Sequence, residues 1–524
     1  MIPRFSNKRL TRECAMPVGG PVSGPSRSSR AEALMHRRAP PRHLPSSPDS
    51  PPFSGASQRG RLWPMSATDS ADHRSAPTFN TRRRLAQTAP VPSRRTMLLL
   101  STIAAGALAG CSIWKRDIGG TVLKSDQART ELTLEEAPDP NAAVSACDAL
   151  GAALLSAQLA DGAHANALAS PASLALNLAA ASLGATDPEA QGLNKLLGAA
   201  DEEARNTTWS AIQTALLAHD GDVSGFKPDE KAPEHPLVHV ADQIVIIDHD
   251  EPTEVSQDFI DNVRYWFSAD LRRADVDKAQ DVLNEWVKQN TAGLIESSAL
   301  DATTINLALQ NVVLFAAQWK ELFDKKSTQD EDFTCADGSV IRVPMMRQQS
   351  SMVCTEGTTG SVTWKVLRVP YSEDFALDIV LPDKGTLPEE LPSGTWAAAS
   401  ALLDQAESEG LSPEVSLWLP RIDLATPDGG IDVLPVLEAL GADIRPMARV
   451  NPLFETKDYR QQVRLIVRED GTVAAAVSEH GDEPMAAVDL GPITDFFVDH
   501  PYAMRLRDLS TGIALFEAII NNPS

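Results

Sequence analysis

The chain has 524 residues, 43% of them apolar, which is ample length to bury a large core. Its charge is divided unevenly: residues 1–95 hold 17 Lys and Arg against 5 Asp and Glu, leaving 30 against 66 for the remainder. A folded part that acidic repels phosphate backbones and argues against nucleic-acid binding.

Residues 1–92 are rich in Pro, Ser and Arg and predict no packed core. Ser93-Arg94-Arg95-Thr96-Met97 then opens an uncharged, largely apolar run to Gly110. The run is short for a membrane span and suits the core of a signal peptide over 93–111. It closes on Leu108-Ala109-Gly110-Cys111, an ending that resembles the lipobox of bacterial lipoproteins. That resemblance makes Cys111 the expected lipid attachment point and places the mature protein outside the cytoplasm, at the cell surface or secreted. Arg94-Arg95 resembles a twin-arginine export signal. The leader lies far from Met1, which suggests an internal start such as Met65, with residues 1–64 untranslated. Residues 112–140 are polar and read as a tether between anchor and folded domain.

From about Asn141 the pattern becomes regular. Ala142 to Leu159, Ser173 to Leu183 and Pro188 to Leu197 predict helices, and the acidic stretch 199–235 ends as a loop. Leu237 to Ile247 predicts a buried strand, followed by helices over Phe259 to Phe267 and Ala279 to Asn290. Leu307 to Trp319 is ambiguous by periodicity, and Val312, Val313 and Phe315 favour strand. Further strands are predicted over Ser339 to Met345, Val362 to Pro370, Ala376 to Leu381 and Val415 to Pro420. After a short helix over Val433 to Leu440, the last strands are Val463 to Val467, Thr494 to Val498, Ala503 to Asp508 and Gly512 to Ile520. Helices first and strands after, without regular alternation, give an α+β layout.

Enzymatic signatures are absent. There is no GxGxxG ahead of a helix, no GxxxxGK[ST], no HExxH and no GxSxG. His480 has Glu479, Asp482 and Glu483 beside it, but the stretch reads as a solvated loop. No metal site or cofactor is expected. Cys14, Cys111, Cys147, Cys335 and Cys354 form no CxxC pair. Cys335 and Cys354 are either a disulfide, in an oxidising compartment, or two buried thiols.

A set of short motifs runs in order through residues 140–524. Asn166-x3-Ser170-Pro171-x-Ser173 comes first, then Leu183-Gly184-Ala185, then Asn284-x-Trp286-Val287-x3-Thr291-x-Gly293-x-Ile295. Asn311-x3-Phe315-x3-Trp319-x3-Phe323 and Val343-Pro344-Met345-Met346 follow. Leu419-Pro420-Arg421-Ile422, Leu440-Gly441, Pro501-Tyr502, Leu515-Phe516 and Asn522-Pro523 complete the set. The ordered series resembles the serpins, a family of protease inhibitors. The resemblance implies three β-sheets, eight or nine helices, an exposed reactive-centre loop, a monomer, and serine proteases as partners.

The stretch Glu469-Asp470-Gly471-Thr472-Val473-Ala474-Ala475-Ala476-Val477-Ser478 is similar to the serpin hinge. In that family the protease cleaves the exposed loop and forms an acyl-enzyme, and the freed loop inserts into the main sheet as a new strand. About fourteen inserted residues extend roughly 46 Å at ~3.3 Å each. Alternate side chains must then enter the core, which Thr472, Ala474, Ala476 and Ser478 are small enough to do. Family spacing sets the cleaved bond fourteen residues past Gly471, at Met485–Ala486. An unbranched apolar Met suits elastase-like or chymotrypsin-like pockets, and no Lys or Arg lies between Gly471 and Pro501 for a trypsin-like one. By the same resemblance Trp319 sits where the loop enters the sheet, and Ser170, Ser173 and Asn284 form a polar cluster beneath the opening strands.

Three departures stand out. The family's usual His in the cluster is Gln461 here, whose amide bridges similar partners. The Gly usually found after the terminal Phe is Ala518. His480 and Asp482 would be carried into the core on insertion, and burying an unpaired carboxylate costs several kcal/mol. The span from Met485 to Pro501 is also long, which allows a later cleavage near Leu490. The alternative function is a non-inhibitory serpin-fold surface binding protein. A lipoprotein solute receptor shares the anchor but not the ordered motifs.

Overall fold

The computed structural model describes residues 117–160, 165–228, 230–472 and 493–524. Among these, eight α-helices and three large sheets, with one two-stranded ladder, make the α+β architecture expected from the motifs. The helix Pro140–Leu159 starts on the side chain of Asp139, which accepts the Ala142 amide, with Pro140 in the first turn. It buries Ala143, Cys147, Leu150 and Leu154 on one face. The helix Pro171–Ala181 is buried all round, as its run of Ala and Leu requires.

The seven-stranded sheet runs in the order Thr121–Val122, Ala269–Asp275, Leu237–Asp248, Leu307–Gln318, Gly471–Thr472, Arg464–Arg468, Ile422–Ala425. Val312, Val313 and Phe315 therefore lie in a strand, as their β-branched and aromatic character indicates. The long central pair Leu237–Asp248 and Leu307–Gln318 is antiparallel, with Asp242 opposite Asn311. A six-stranded sheet holds the chain's last two strands, Tyr502–Asp508 and Ala514–Ile520, between the edge strand Ala167–Ala169 and the strand Phe375–Pro382. A four-stranded sheet carries Thr494–Phe497 parallel to Glu414–Pro420 at its edge.

Several elements differ from the sequence reading. The acidic stretch after residue 199 holds a helix, Glu202–Leu217, capped by Asp201 and anchored by Trp209, Ile212 and Leu216. A further helix, Thr395–Ser408, packs Ala399, Leu403 and Ala406 against Trp364 and Val380. Most consequential is the segment read as a tether. From Asp117 onward it is laid against the body: Thr121 and Val122 pair with Arg273 and Arg272, and Ile118 is buried. Its polar composition concealed contacts made through backbone pairing, a few apolar side chains such as Ile118 and Leu123, and polar side chains such as Ser125 and Arg129. Cys147, Cys335 and Cys354 are free thiols, so the disulfide alternative for Cys335 and Cys354 is not realised.

Candidate functional site: the hinge and the slot beneath it

The two-residue strand Gly471–Thr472 lies between Leu307–Gln318 and Arg464–Arg468, antiparallel to both. Gly471 pairs with Gln318 and Arg468, and Thr472 with Ala317 and Val467. Among the described residues, this short strand alone carries the ladder between the two halves of the sheet. Gly471 has φ +145, and a Cβ there would be driven into the Ala317 carbonyl, so glycine is required for the chain to enter at this point.

A second set of contacts clamps the entry. Trp319 is buried, donates its Nε1–H to the Arg468 carbonyl at 2.8 Å, and stacks on Tyr371 with centroids 4.3 Å apart. The Tyr371 hydroxyl bonds the Thr472 hydroxyl. Glu469, 2% exposed, accepts from Arg421 through Nε at 2.8 Å and through Nη2, and from the Thr328 hydroxyl at 2.6 Å. Burial pushes the Glu469 carboxyl up, but those donors outweigh it and hold the group below the usual carboxylate range. Asp470 is also buried, which raises its pKa, and its Oδ2 has no hydrogen-bond partner.

Below Thr472 the flanking strands part around a narrow cavity. Its walls include Val312 to Phe315 on one strand and Val463 to Leu465 on the other, with Ser170 and Ser173 at its base. Thr291, Leu294 and Ile295, just past the helix Val276–Asn290, also line it. The cavity thus lies between the two strands that flank the hinge strand, on the line that strand would follow. A pleated strand placed there would meet unpaired ladder groups on both sides.

The polar groups at the base form an ordered set. Gln461 and the Ser170 backbone exchange two bonds: the Ser170 amide donates to Oε1 at 3.1 Å and Nε2 donates to the Ser170 carbonyl at 2.8 Å. The Ser170 hydroxyl donates to the Leu515 carbonyl at 2.7 Å. The Ser173 hydroxyl donates to Asn311 Oδ1, and Asn311 Nδ2 donates to Asp242. Asp242 also accepts from Gln213 Nε2 at 2.9 Å and, more weakly, Asn177 Nδ2 at 3.4 Å. Tyr459 donates to Asn177 at 2.7 Å, and Arg129 donates to Gln213 at 3.1 Å. Burial lifts the Asp242 carboxyl to about 6 against these amide donors.

Ser170, Ser173 and Gln461 are therefore brought together, and Asn284 is not. Asn284 sits on the helix Val276–Asn290, where its Oδ1 accepts from Gln280 at 3.1 Å and the Ser298 amide at 3.0 Å. The asparagine that meets Ser173 is Asn311, because the strand Leu307–Gln318 crosses directly over the helix that carries Ser173. Asp242, Asn177, Gln213 and Tyr459 escaped the sequence reading. The available signal was the adjacent polar pair Asp242-Gln243 inside a largely apolar strand. Ala474, Ala475, Ala476, Ser478, His480, Asp482, Met485, Ala486 and Leu490 lie outside the described residues, as does Cys111.

Comparison with known proteins agrees with this geometry. The family model "Serpin (serine protease inhibitor)" matches residues 145–523, and the chain belongs to the serpin family. Neuroserpin from Mus musculus is 28% identical over 292 residues, covering 51% of this chain and 68% of its own length. Plasminogen activator inhibitor 1 from the same organism is 27% identical over 334 residues, covering 58% and 80%. The native-state crystal structure of tengpin, a thermophilic serpin, has the same fold at a TM-score of 0.60 and 20% identity, covering 77% of this chain and 99% of tengpin.

Proposed function

We propose that this chain is a suicide inhibitor of serine proteases with elastase-like or chymotrypsin-like specificity. The observation that carries the reading is the hinge strand Gly471–Thr472, already paired on both edges at the head of an unfilled slot. The protease serine adds to the Met485 carbonyl, the Met485–Ala486 bond breaks, and Ala486 leaves as the amine after taking a proton. Met485 stays esterified to the protease. The chain from Val473 to Met485 then zips into the slot behind Thr472, one ladder pair at a time, and carries the acylated enzyme with it before water reaches the ester. Small side chains at Ala474, Ala476 and Ser478 suit the inward positions.

In this reading the protein acts outside the cytoplasm as a monomer, held to a bacterial membrane through a lipid on Cys111. Five residues separate Cys111 from Asp117, a span of at most roughly 22 Å. Labelling with a tagged fatty acid checks the anchor: the full chain takes the label and Cys111→Ala does not.

The inhibitory reading is tested by mixing the folded chain with elastase, chymotrypsin, trypsin and subtilisin and running denaturing gels. A stable band at the summed mass, with Ala486 as the new N-terminus of the released fragment, is expected with elastase or chymotrypsin. Cleaved chain beside fully active protease in every mixture would overturn it in favour of a non-inhibitory binding protein.

A further inference from the structure

We propose that His235 and Glu373 form an acid-closed latch beside the head of the slot, which slows its opening in mildly acidic surroundings and releases it at alkaline pH. The inference rests on the slot-filling mechanism proposed above and adds a condition under which the slot opens.

One half of the latch is the connection from His219 to Val238, between the helix Glu202–Leu217 and the long strand Leu237–Asp248. Its ends meet, the Val238 amide donating to the His219 carbonyl at 3.0 Å. Its later part lies against the hinge. The carbonyl of Ala232, a residue 1% exposed, accepts from Gln318 Nε2 at 2.8 Å, and the Pro233 carbonyl accepts the Gln318 amide at 3.2 Å. Gln318 is the residue that pairs with Gly471. The Ala232 backbone also hydrogen-bonds the Asp470 carboxylate, and Phe226 and Leu237 pack on Ala316.

The other half is the turn from Tyr371 to Phe375, which joins two strands of the six-stranded sheet. His235 Nδ1 lies 2.9 Å from Glu373 Oε1, and His219 Nδ1 lies 3.7 Å from Oε2. One carboxylate therefore bridges both ends of the connection. The His219 ring also stands edge-on to Phe375, with centroids 5.0 Å apart. Of the neighbouring charges, Glu234 attracts the same proton to His235, whereas Asp220 is taken up by His239 at 2.7 Å. Asp374 is exposed beside Glu373, and Asp470 lies buried beneath Ala232. The bond to Glu373, and then its charge, raise the pKa of His235. A raised imidazole pKa means that the latch is strongest in acid and weakens as pH climbs past the folded-state value.

Opening the slot moves Leu307–Gln318 away from Arg464–Arg468. The strand Leu237–Asp248 moves with it, because the two are paired from Leu237 to Ile246. His235 stands two residues ahead of that strand, whereas Glu373 belongs to the six-stranded sheet, so opening stretches the bond between them. The Ser372 amide holds the Gln318 carbonyl at 3.0 Å across the same gap, a tie that does not titrate. The latch adds one that does.

The test uses the full chain and its variants His235→Ala, His235→Lys and Glu373→Gln. Slot opening is read as the rate at which a synthetic peptide with the sequence Val473 to Met485 anneals, followed by the gain in resistance to heat, at about pH 5.5 and about pH 8. Peptide carboxylates and Asp242 titrate alike in all four chains, so the chains are compared with one another at each pH. At the lower pH, His235→Ala and Glu373→Gln should anneal about fourfold faster than the parent, the size of effect an exposed ion pair allows. At the higher pH they should match it. His235→Lys, whose charge does not titrate in this range, should be slow at both. Equal rates for the parent, His235→Ala and Glu373→Gln at the lower pH, with each folded by circular dichroism, overturn the latch, as does annealing by no chain. The expected rates without trapping of any serine protease defeat the inhibitory reading and uphold the latch. Trapping with equal rates defeats the latch alone.

Discussion

Arg421 grips Glu469 with two guanidinium nitrogens at the point where the reactive loop leaves the sheet. Glu469 is buried while Arg421 is partly exposed, so removing the arginine strands a carboxylate with only Thr328 as side-chain donor. Arg421→Ala should destabilise the native state by about 2–3 kcal/mol, below the full cost for a wholly buried pair because one partner keeps water contact. Because the Glu469 pKa is depressed in the folded state, this contribution is present above the ordinary carboxylate pKa and is lost as pH falls. Urea denaturation should separate parent and variant at pH 7 and bring them together near the acid limit.

The two asparagines of the signature motifs should behave differently. Asn311→Ala removes the partner of both Ser173 and Asp242 and should cost roughly 2–4 kcal/mol, since two buried polar groups each lose a bond. Asn284 is half-buried and serves Gln280 and the Ser298 amide, so Asn284→Ala should cost about 1 kcal/mol and leave the slot unaltered. Thermal unfolding of the two variants, measured side by side, checks the order.

Asp242 gives the stability a pH signature. Its folded-state pKa is raised, chiefly by burial, to about 6 from an ordinary value of 3.8. The stabilisation linked to its proton is complete below the unfolded value and disappears as pH rises through 6, amounting to ~3 kcal/mol at most. Asp242→Asn should flatten the stability curve between about pH 4 and pH 7, the window spanned by the ordinary and folded-state values. A variant whose curve keeps the parent's slope over that range contradicts the assignment.

Gly471→Ala should expel the hinge strand. The added Cβ meets the Ala317 carbonyl, and φ +145 is strained for any side chain. A loss of roughly 3 kcal/mol is expected. Hydrogen exchange at the Thr472 amide should rise by more than that at Val467, which keeps its neighbour Ile422 across the strand.

Much of this was legible before any coordinates. The strand Leu307–Gln318, the clamp at Trp319, the partner Arg421 and the hinge glycine all lie inside motifs that are weak singly and strong as an ordered set. Three things were hidden because they depend on register or on non-local pairing. Asn284 and Asn311 are equal as letters, and only the crossing of strand over helix selects Asn311. The helix Glu202–Leu217 does not stand out within the acidic stretch 199–235 because its apolar stripe of Trp209, Ile212 and Leu216 is sparse. The segment 117–123 looked like a tether because its attachment uses backbone groups, two glycines and two apolar residues, Ile118 and Leu123, none of which stands out in composition.

In the proposed mechanism the loop beyond Thr472 becomes a strand of the seven-stranded sheet after cleavage. Scanning calorimetry of the chain before and after cleavage at Met485–Ala486 addresses it most directly. Filling the slot adds a ladder on both sides, so the unfolding midpoint should be higher by about 10 °C or more in the cleaved form. An unchanged or lowered midpoint in the cleaved form would contradict it.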